Sequence, residues 1–161
     1  MTAQIKSEII RPFLESTINV LETMAFIKIQ TGKPYIKSPG DESSGDVTGV
    51  IGMVSEKING SMALVFPEKT ILFIVNSMLS EHLTALNRDV LDCVGELTNM
   101  ISGGARAGLA NLNMRFEMAI PTMIQGHHHI VEHKTKGSVI VIPFETDAGA
   151  FYVEAAFSEA S

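Results

Sequence analysis

The sequence predicts an α/β domain in which about three helices pack on a mixed, largely antiparallel sheet of about six strands. Three observations support this fold class. Three segments repeat apolar residues at helical spacing, and six others have the alternating or β-branched patterns of strands. Two connections between predicted strands, Lys57–Gly60 and Thr146–Gly149, are short enough to be tight antiparallel turns.

The three helices follow from apolar periodicity and from signals at their ends. Their predicted spans are Ala3–Met24, Glu68–Leu79 and Asp89–Leu109. The apolar stripe of the first helix contains Ile5, Ile9, Phe13, Ile18 and Leu21. Pro12 is expected to bend this helix, and Pro67 suits the first position of the second. Asn87 or Asp89 is the expected N-cap of the third helix.

The six strands are bounded by clusters of turn-forming residues. Their predicted spans are Phe26–Lys37, Val47–Glu56, Gly60–Pro67, Phe116–Gln125, Ser138–Glu145 and Ala150–Phe157. A bend or bulge is expected at Gly32–Pro34, and Ser38–Asp46 is an acidic stretch typical of a solvated loop. Asn59-Gly60 has the chemistry of a hairpin turn, and Gly126–Lys136 is expected to link two strands.

Composition limits the possible partners. The 161 residues fit one domain, or two small halves that share a core, and 45% hydrophobic content is ordinary for a folded protein. Eighteen acidic and twelve basic residues give a net charge of −6, and there is no Lys/Arg cluster and no Trp. Nucleic acid is therefore an unlikely partner, and the chain has no GxGxxG or GxxxxGK[ST] motif for a nucleotide.

The sequence predicts neither a membrane-spanning protein nor a secreted one. No apolar run approaches the roughly 20 residues that cross a bilayer. Polar residues recur throughout the first turns of the chain, unlike the continuous apolar core of a secretory signal. The single cysteine, Cys93, agrees with a reducing compartment. A cytoplasmic protein is expected.

The third helix carries a polar stripe opposite its apolar face. Asp92, Glu96, Asn99 and Gly103 recur at i, i+4, i+7 and i+11, which places them on one side. The apolar face contains Val90, Val94, Leu97, Ile101 and Ala105. From periodicity alone, such a stripe is most often a solvated face. The alternative is a surface that enters another molecule as a rigid unit.

The residue types on this stripe favour a chemical role. The Glu96 carboxylate accepts hydrogen bonds only, so it suits a lysine or arginine partner. The Asn99 amide both donates and accepts and does not titrate, so it can orient a water molecule, and phosphoryl hydrolysis needs mainly such positioning. Gly104 and Gly108 turn toward the apolar side, whereas Gly103 lies where only a partner's backbone would need the missing Cβ.

These residues carry a family resemblance. Asp92-x₃-Glu96-x₂-Asn99-x₃-Gly103 matches the [Asp/Ser]-x₃-Glu-x₂-Asn-x₃-Gly signature of the CheC/CheX/FliY response-regulator phosphatases. Four further segments resemble CheX in order and spacing: FLESTINVLETM (13–24), SGDVTGVIGM (44–53), GSMALVFPE (60–68) and VIPFETDAGAFYVE (141–154). The resemblance covers nearly the whole chain and implies a single CheX-like domain over residues 1–161 with the CheC-like fold.

The resemblance also implies an activity. CheX-type proteins hydrolyse the phospho-aspartate of CheY-like response regulators in chemotaxis or related two-component signalling. Glu96 would pair with the regulator's lysine and Asn99 would orient the attacking water, while Asp92 and Gly103 would belong to the docking surface. Met100 is not part of the signature, but it lies close to the stripe and is expected from that position to contact the partner. The Mg²⁺ would sit on the receiver, so no cofactor or metal is expected in this chain. CheX proteins are homodimers, and the same is expected here.

The number of motif copies distinguishes the subfamilies. CheC-like members carry a second copy on the first helix, where this chain has Arg11, Glu15, Ile18 and Glu22. The glutamate is present, but isoleucine and glutamate occupy the asparagine and glycine positions. One active site per chain is therefore expected, as in CheX.

Two other features invite a functional interpretation. His127, His128 and His129, with His133 nearby, suggest a metal site, although a histidine-rich hairpin tip is the simpler explanation. On a strand, His127 and His129 would face the same side and His128 the other. Cys93 has no histidine neighbour to activate it and is expected to be a packing residue.

Two functions compete with the phosphatase. One is a non-catalytic module of the same fold that binds a receiver or a flagellar switch component through the third helix. The other is a small-molecule binding domain, for which the sequence shows no convergent set of polar residues.

Overall fold

The computed structural model describes residues 3–38, 43–134 and 137–160, with side chains from Ser7 onward. Ile5 of the predicted stripe therefore lies outside the described side chains. The helices are α1 (Ala3–Met24), α2 (Glu68–Leu79) and α3 (Arg88–Ala110). The strands are β1 (Gln30–Thr31), β2 (Tyr35–Ile36), β3 (Gly45–Val54), β4 (Ile58–Phe66), β5 (Glu117–Met118), β6 (Thr122–His129), β7 (Val139–Thr146) and β8 (Gly149–Glu159).

One sheet contains these eight strands in the order β1-β7-β8-β4-β3-β5, with β2 also on β7 and β6 also on β3. Every pairing in the described part of the chain is antiparallel. The predicted fold class is thus confirmed. The strand count rises from about six to eight because two predicted strands are interrupted near Pro34 and Pro121, which have no N–H to donate to the ladder.

The β3–β4 turn is not where the sequence predicted it. The ladder continues outward to Val54 and Asn59, so the turn is formed by residues 55–57. The Ser55 N–H and hydroxyl both donate to the Ile58 carbonyl and close it. Gly60 lies within β4, where a Cβ would stand 2.7 Å from the Ala156 carbonyl oxygen. The glycine is required by the neighbouring strand, and the Asn-Gly turn prediction is wrong.

Two predicted loops are also shorter than expected. Ser43, Gly45 and Asp46 are buried, so the C-terminal end of the expected solvated loop is part of the folded interior, while residues 39–42 lie outside the described part. The Asp46 carboxylate accepts hydrogen bonds from the backbone N–H groups of Glu68 and His128, which explains its burial. β6 extends to His129, four residues beyond the predicted end at Gln125.

All three helices pack on one face of the sheet and share one core with it. The largest fully buried side chains of that core include Phe13, Phe66, Phe144, Phe151, Leu21, Ile51, Leu64, Ile71 and Ile74. α3 contacts α1, α2 and strands β3, β4 and β6, so it lies at the centre of the helical layer. In the described ranges, no helix combines the length and apolar character that crossing a bilayer would need.

A small cluster of polar and apolar residues lies on the opposite face of the sheet. The Glu154 carboxylate, 0% exposed, accepts hydrogen bonds from Lys37 Nζ at 3.0 Å and pairs with His133 Nε2 at 3.0 Å. His133 Nδ1 lies 2.5 Å from the Ser61 hydroxyl. Burying a carboxylate is costly unless it is paired, and these contacts satisfy it. They fasten the chain around Val131 over the back of the sheet.

Candidate functional site

The third helix begins and packs as the sequence predicted. Asn87 is its N-cap, and its side-chain oxygen accepts a hydrogen bond from the Val90 N–H at 3.0 Å. Asp89 lies in the first turn, where its negative charge interacts favourably with the positive end of the helix dipole. The predicted apolar residues Val90, Val94, Leu97, Ile101 and Ala105 are all fully buried.

Close contacts on two sides hold α3 in place. A Cβ on Gly49 of β3 would overlap the Thr98 hydroxyl, so this glycine lets the helix lie directly on the sheet. On the other side, the Ser16 hydroxyl of α1 donates to the Ile101 carbonyl at 2.7 Å. A Cβ on Gly104 would collide with Ser16, and one on Gly108 would stand 2.8 Å from Pro12 Cβ. The helix therefore presents its outer face from a fixed position.

The predicted polar stripe lies on that outer face. Asp92, Glu96, Asn99 and Gly103 are all exposed. Within the described part of the chain, the side chains of Asp92, Glu96 and Asn99 make no hydrogen bond or ion pair. A Cβ added to Gly103 would meet no atom within 4 Å, in contrast to Gly104 beside it. Met100 is half-buried at the edge of the core.

The side chains on the stripe can bind and orient other groups. Asn99 can hold a water, and Glu96 can accept hydrogen bonds from a cation. In the described ranges, no group of three or more His, Cys, Asp or Glu side chains could hold a metal ion. The residues of the stripe are exposed and accessible to a second molecule.

Cys93 lies on the inner side of the same helix. It is 8% exposed and belongs to the core. Burial raises the pKa of its thiol, and the negative charges of Glu96, Asp89 and Asp92 raise it further. A raised pKa disfavours the thiolate, which is the nucleophilic form of cysteine. Cys93 is therefore a packing residue, as the sequence indicated.

The first helix shows no second copy of the stripe. Glu15 forms an exposed ion pair with Arg11 at 3.2 Å. Ile18, at the position of the missing asparagine, packs against the core. Glu22 is exposed, and its side chain would fill the space that a glycine leaves open.

The histidines do not form the expected hairpin tip. They end β6, and their partners differ: His127 Nδ1 lies 3.2 Å from Asp46 Oδ1, while His129 Nε2 lies 2.5 Å from the Thr48 hydroxyl. His128 has a φ of 48°, which interrupts the strand alternation on which the predicted convergence of His127 and His129 relied. The triplet anchors β6 to β3.

Asp46 is the charged residue at this anchor. Partial burial opposes ionisation of its carboxyl, but the backbone N–H groups of His128 and Glu68 outweigh that effect. The nearby imidazoles of His127 and His128 act in the same direction, and the pKa of Asp46 is below its ordinary value.

One residue of the outer face was missed in the sequence. Arg106 follows Gly103 by three residues, is exposed and continues the same stripe. Its spacing was the available signal. Arg106 also borders a cleft that begins at Gly103.

The fold and the site define a class of protein: a CheC-like domain with one Glu-x₂-Asn helix. The profile of the family described as "Chemotaxis phosphatase CheX" matches residues 47–145. The chain belongs to the CheX family. No curated protein sequence matches it.

Solved structures that are similar to the chain over nearly its full length include the following three. The chemotaxis protein CheX of Vibrio vulnificus is 42% identical with a TM-score of 0.90, over 94% of this chain and 99% of that one. A CheC-like superfamily protein of Shewanella sp. PV-4 is 41% identical with a TM-score of 0.89, over 98% and 99%. The CheX–CheY–BeF₃–Mg²⁺ complex of Borrelia burgdorferi is 25% identical with a TM-score of 0.79, over 93% and 97%.

Proposed function

We propose that this protein hydrolyses the phospho-aspartate of a CheY-like response regulator. The observation that carries the proposal is the exposed pair Glu96 and Asn99, one turn apart on a fixed helix and without partners among the described residues. Exposed side chains fixed in this way suit a partner's active site better than chemistry within the chain. Membership of a family described as chemotaxis phosphatases supports the proposal, as does the complex of a relative with CheY.

In the proposed reaction the residues of this chain position the reacting groups, and the receiver provides the charged groups. Glu96 accepts a hydrogen bond from the receiver's lysine and sets the orientation of the helix. The Asn99 amide holds one water in line with the acyl phosphate. The water oxygen bonds to phosphorus as the bond from phosphorus to the aspartate oxygen breaks, which leaves a free aspartate carboxylate, and both protons of the water leave with the phosphate as H₂PO₄⁻. Since Asn99 does not titrate, its contribution is positioning.

The rest of the stripe serves docking in this proposal. Gly103 lets the receiver's backbone approach the helix, because nothing in the chain fills the space beside it. Asp92 and Met100 border the contact at the two sides of Glu96. Mg²⁺ is a ligand of the receiver, and this chain binds no cofactor of its own.

We also propose that the protein acts in the cytoplasm, where CheY-like receivers occur. We further propose that it is a homodimer. The edge strand β6 and its flanks expose three isoleucines, including Ile120 at 88% and Ile130 at 54%. No other described strand pairs with the outer edge of β6, and exposed apolar residues beside such an edge suit contact with a second copy. Sedimentation of the purified chain tests this assembly, and a monomer at all concentrations would contradict it.

Phosphate release from a phosphorylated receiver tests the activity. CheY-like receivers are phosphorylated with a small-molecule phosphodonor, freed of excess donor, and followed with and without this protein. Faster loss of the aspartyl phosphate at sub-stoichiometric protein is expected. Binding of the phosphorylated receiver without faster hydrolysis would instead identify the non-catalytic module, and the Glu/Asn pair would then need another explanation.

A further inference from the structure

A cleft opens at the C-terminal half of α3, directly beyond the polar stripe. Its volume is about 1050 Å³, and Gly103 belongs both to the stripe and to its lining. Ala107 and Ala110 continue the small-residue wall along the helix. The β3–β4 turn and the segment from Asn113 to Glu117 form the other side. A molecule docked on Gly103 would therefore extend into this cleft.

Cations outnumber carboxylates in the lining of the cleft, although the net charge of the chain is negative. Arg106, Arg115 and Lys57 line it, together with the carboxylates of Glu56 and Glu117. Arg106 and Arg115 are exposed, and neither makes an ion pair or side-chain hydrogen bond within the described ranges. Unpaired guanidinium groups beside an apolar wall suit a carboxylate carried on a partly apolar segment.

Charge is thus divided along the outer face of α3. Asp92 and Glu96 occupy its N-terminal half, and Arg106 follows Glu96 by ten residues, about 15 Å along the axis. A partner that offers a cation to Glu96 fits this face best if it also presents an anion at that distance. Arg106 is about 10 Å along the axis from Asn99, so it lies away from the reacting phosphorus.

We infer that the cleft beside Gly103 receives an acidic loop of the receiver, whose carboxylate pairs with Arg106 and Arg115. The inference rests on the proposed function for the identity of the partner. It adds docking residues that determine which receivers bind well. Arg106 acts on association and specificity, and it leaves the orientation of the water to Asn99.

Charge reversal in the cleft tests the inference. Arg106→Glu and, separately, Arg115→Glu are compared with Lys33→Glu, which makes the same charge change at an exposed site in the β1–β2 connection, at the opposite edge of the sheet. Circular dichroism and thermal unfolding establish that each variant is folded. Steady-state phosphate release gives kcat and KM, and binding is measured with a CheY-like receiver loaded with BeF₃⁻ and Mg²⁺.

The expected result is a rise in KM and in Kd of about tenfold at low salt for both arginine variants, with kcat within twofold of the wild type. The difference should shrink at high salt because the contact is electrostatic. Lys33→Glu should match the wild type, and Arg106→Lys should recover part of the affinity.

Three results would overturn the inference. The first is unchanged KM and Kd in both arginine variants. The second is equal weakening by Lys33→Glu, which would mean general charge attraction. The third is conversion of a dimer to a monomer by Arg106→Glu, which would make a second copy the occupant. Failure of the proposed function gives a different result from failure of this inference. If the wild type binds the BeF₃⁻-loaded receiver but hydrolyses nothing, the proposed function is wrong, and the Kd values of the variants still test the cleft.

Discussion

Helices α1 and α3 pack side by side on the same face of the sheet, yet only α3 presents a reactive surface. In α3, Glu96 and Asn99 point outward with no partner among the described residues. In α1, Glu15 is paired with Arg11, and Ile18 is directed to the core. The same helical spacing thus supports an ion pair and a packing contact in one element, and an exposed carboxylate and amide in the other.

A glutamate at motif spacing is therefore insufficient to define the site. What distinguishes α3 is the residue one turn later and the glycine one turn beyond that. Asn99 can orient a water, whereas Ile18, at the corresponding position of α1, cannot. Gly103 leaves the surface of α3 open, whereas the corresponding residue of α1, Glu22, has a long side chain.

Asn99→Ala should remove the largest part of the difference between the helices. Loss of one positioning group in comparable sites costs on the order of 10² to 10³ in rate. Because the Asn99 side chain is exposed and has no hydrogen-bond partner among the described residues, thermal stability and binding of a BeF₃⁻-loaded receiver should be nearly unchanged. Single-turnover decay of the phosphorylated receiver measures the rate. Asn19→Ala, an exposed asparagine on α1, is the matched control, and full activity of Asn99→Ala would refute the water-orienting role.

Glu96→Ala should have a smaller effect that appears in both kcat and KM. Loss of a charge-pair partner at a desolvated contact weakens docking and the alignment of the helix, by about ten- to a hundredfold in kcat/KM. Glu96→Gln should retain part of the activity because its amide oxygen still accepts a hydrogen bond. Glu22→Ala on α1 serves as the control. A change in kcat alone, with unchanged KM and Kd, would contradict a role in docking.

The sequence predicted α3 well because its signals are local. The N-cap at Asn87, the buried apolar face and the exposed stripe all follow from helical periodicity over 23 residues. The glycines Gly104 and Gly108 were also correctly assigned to the packed side. The family resemblance then indicated which interpretation of the stripe to prefer, since periodicity alone favoured a solvated face.

The errors lie where distant strands decide the local structure. Asn59-Gly60 has strong turn chemistry, but the Ala156 carbonyl on β8 requires a glycine in the strand. His127 and Asp46 are far apart in sequence and meet only because β6 pairs with β3. Arg106 is a different case from these errors. Its helical spacing placed it on the stripe in the sequence, but only the structure shows the cleft beside it.

The adjacent glycines Gly103 and Gly104 should separate partner contact from internal packing. Gly104→Ala should lower the free energy of unfolding by about 1–2 kcal/mol, because the new Cβ collides with Ser16. Gly103→Ala should raise it by about 0.5–1 kcal/mol through helix propensity, while weakening receiver binding. Urea unfolding and Kd measure the two effects. Equal destabilisation by both substitutions would mean that Gly103 is also a packing residue.

Glu15→Ala should change almost nothing, and this small effect bears most directly on the number of sites. The Arg11–Glu15 pair is largely exposed, and such a pair contributes at most a few tenths of a kcal/mol. Urea unfolding should therefore agree with the wild type within error, as should kcat and KM. If Glu15→Ala instead reduced turnover as much as Glu96→Ala, α1 would have to dock on the receiver as well. Ile18 in place of asparagine argues against that, because a side chain packed on the core cannot reach a water on the partner.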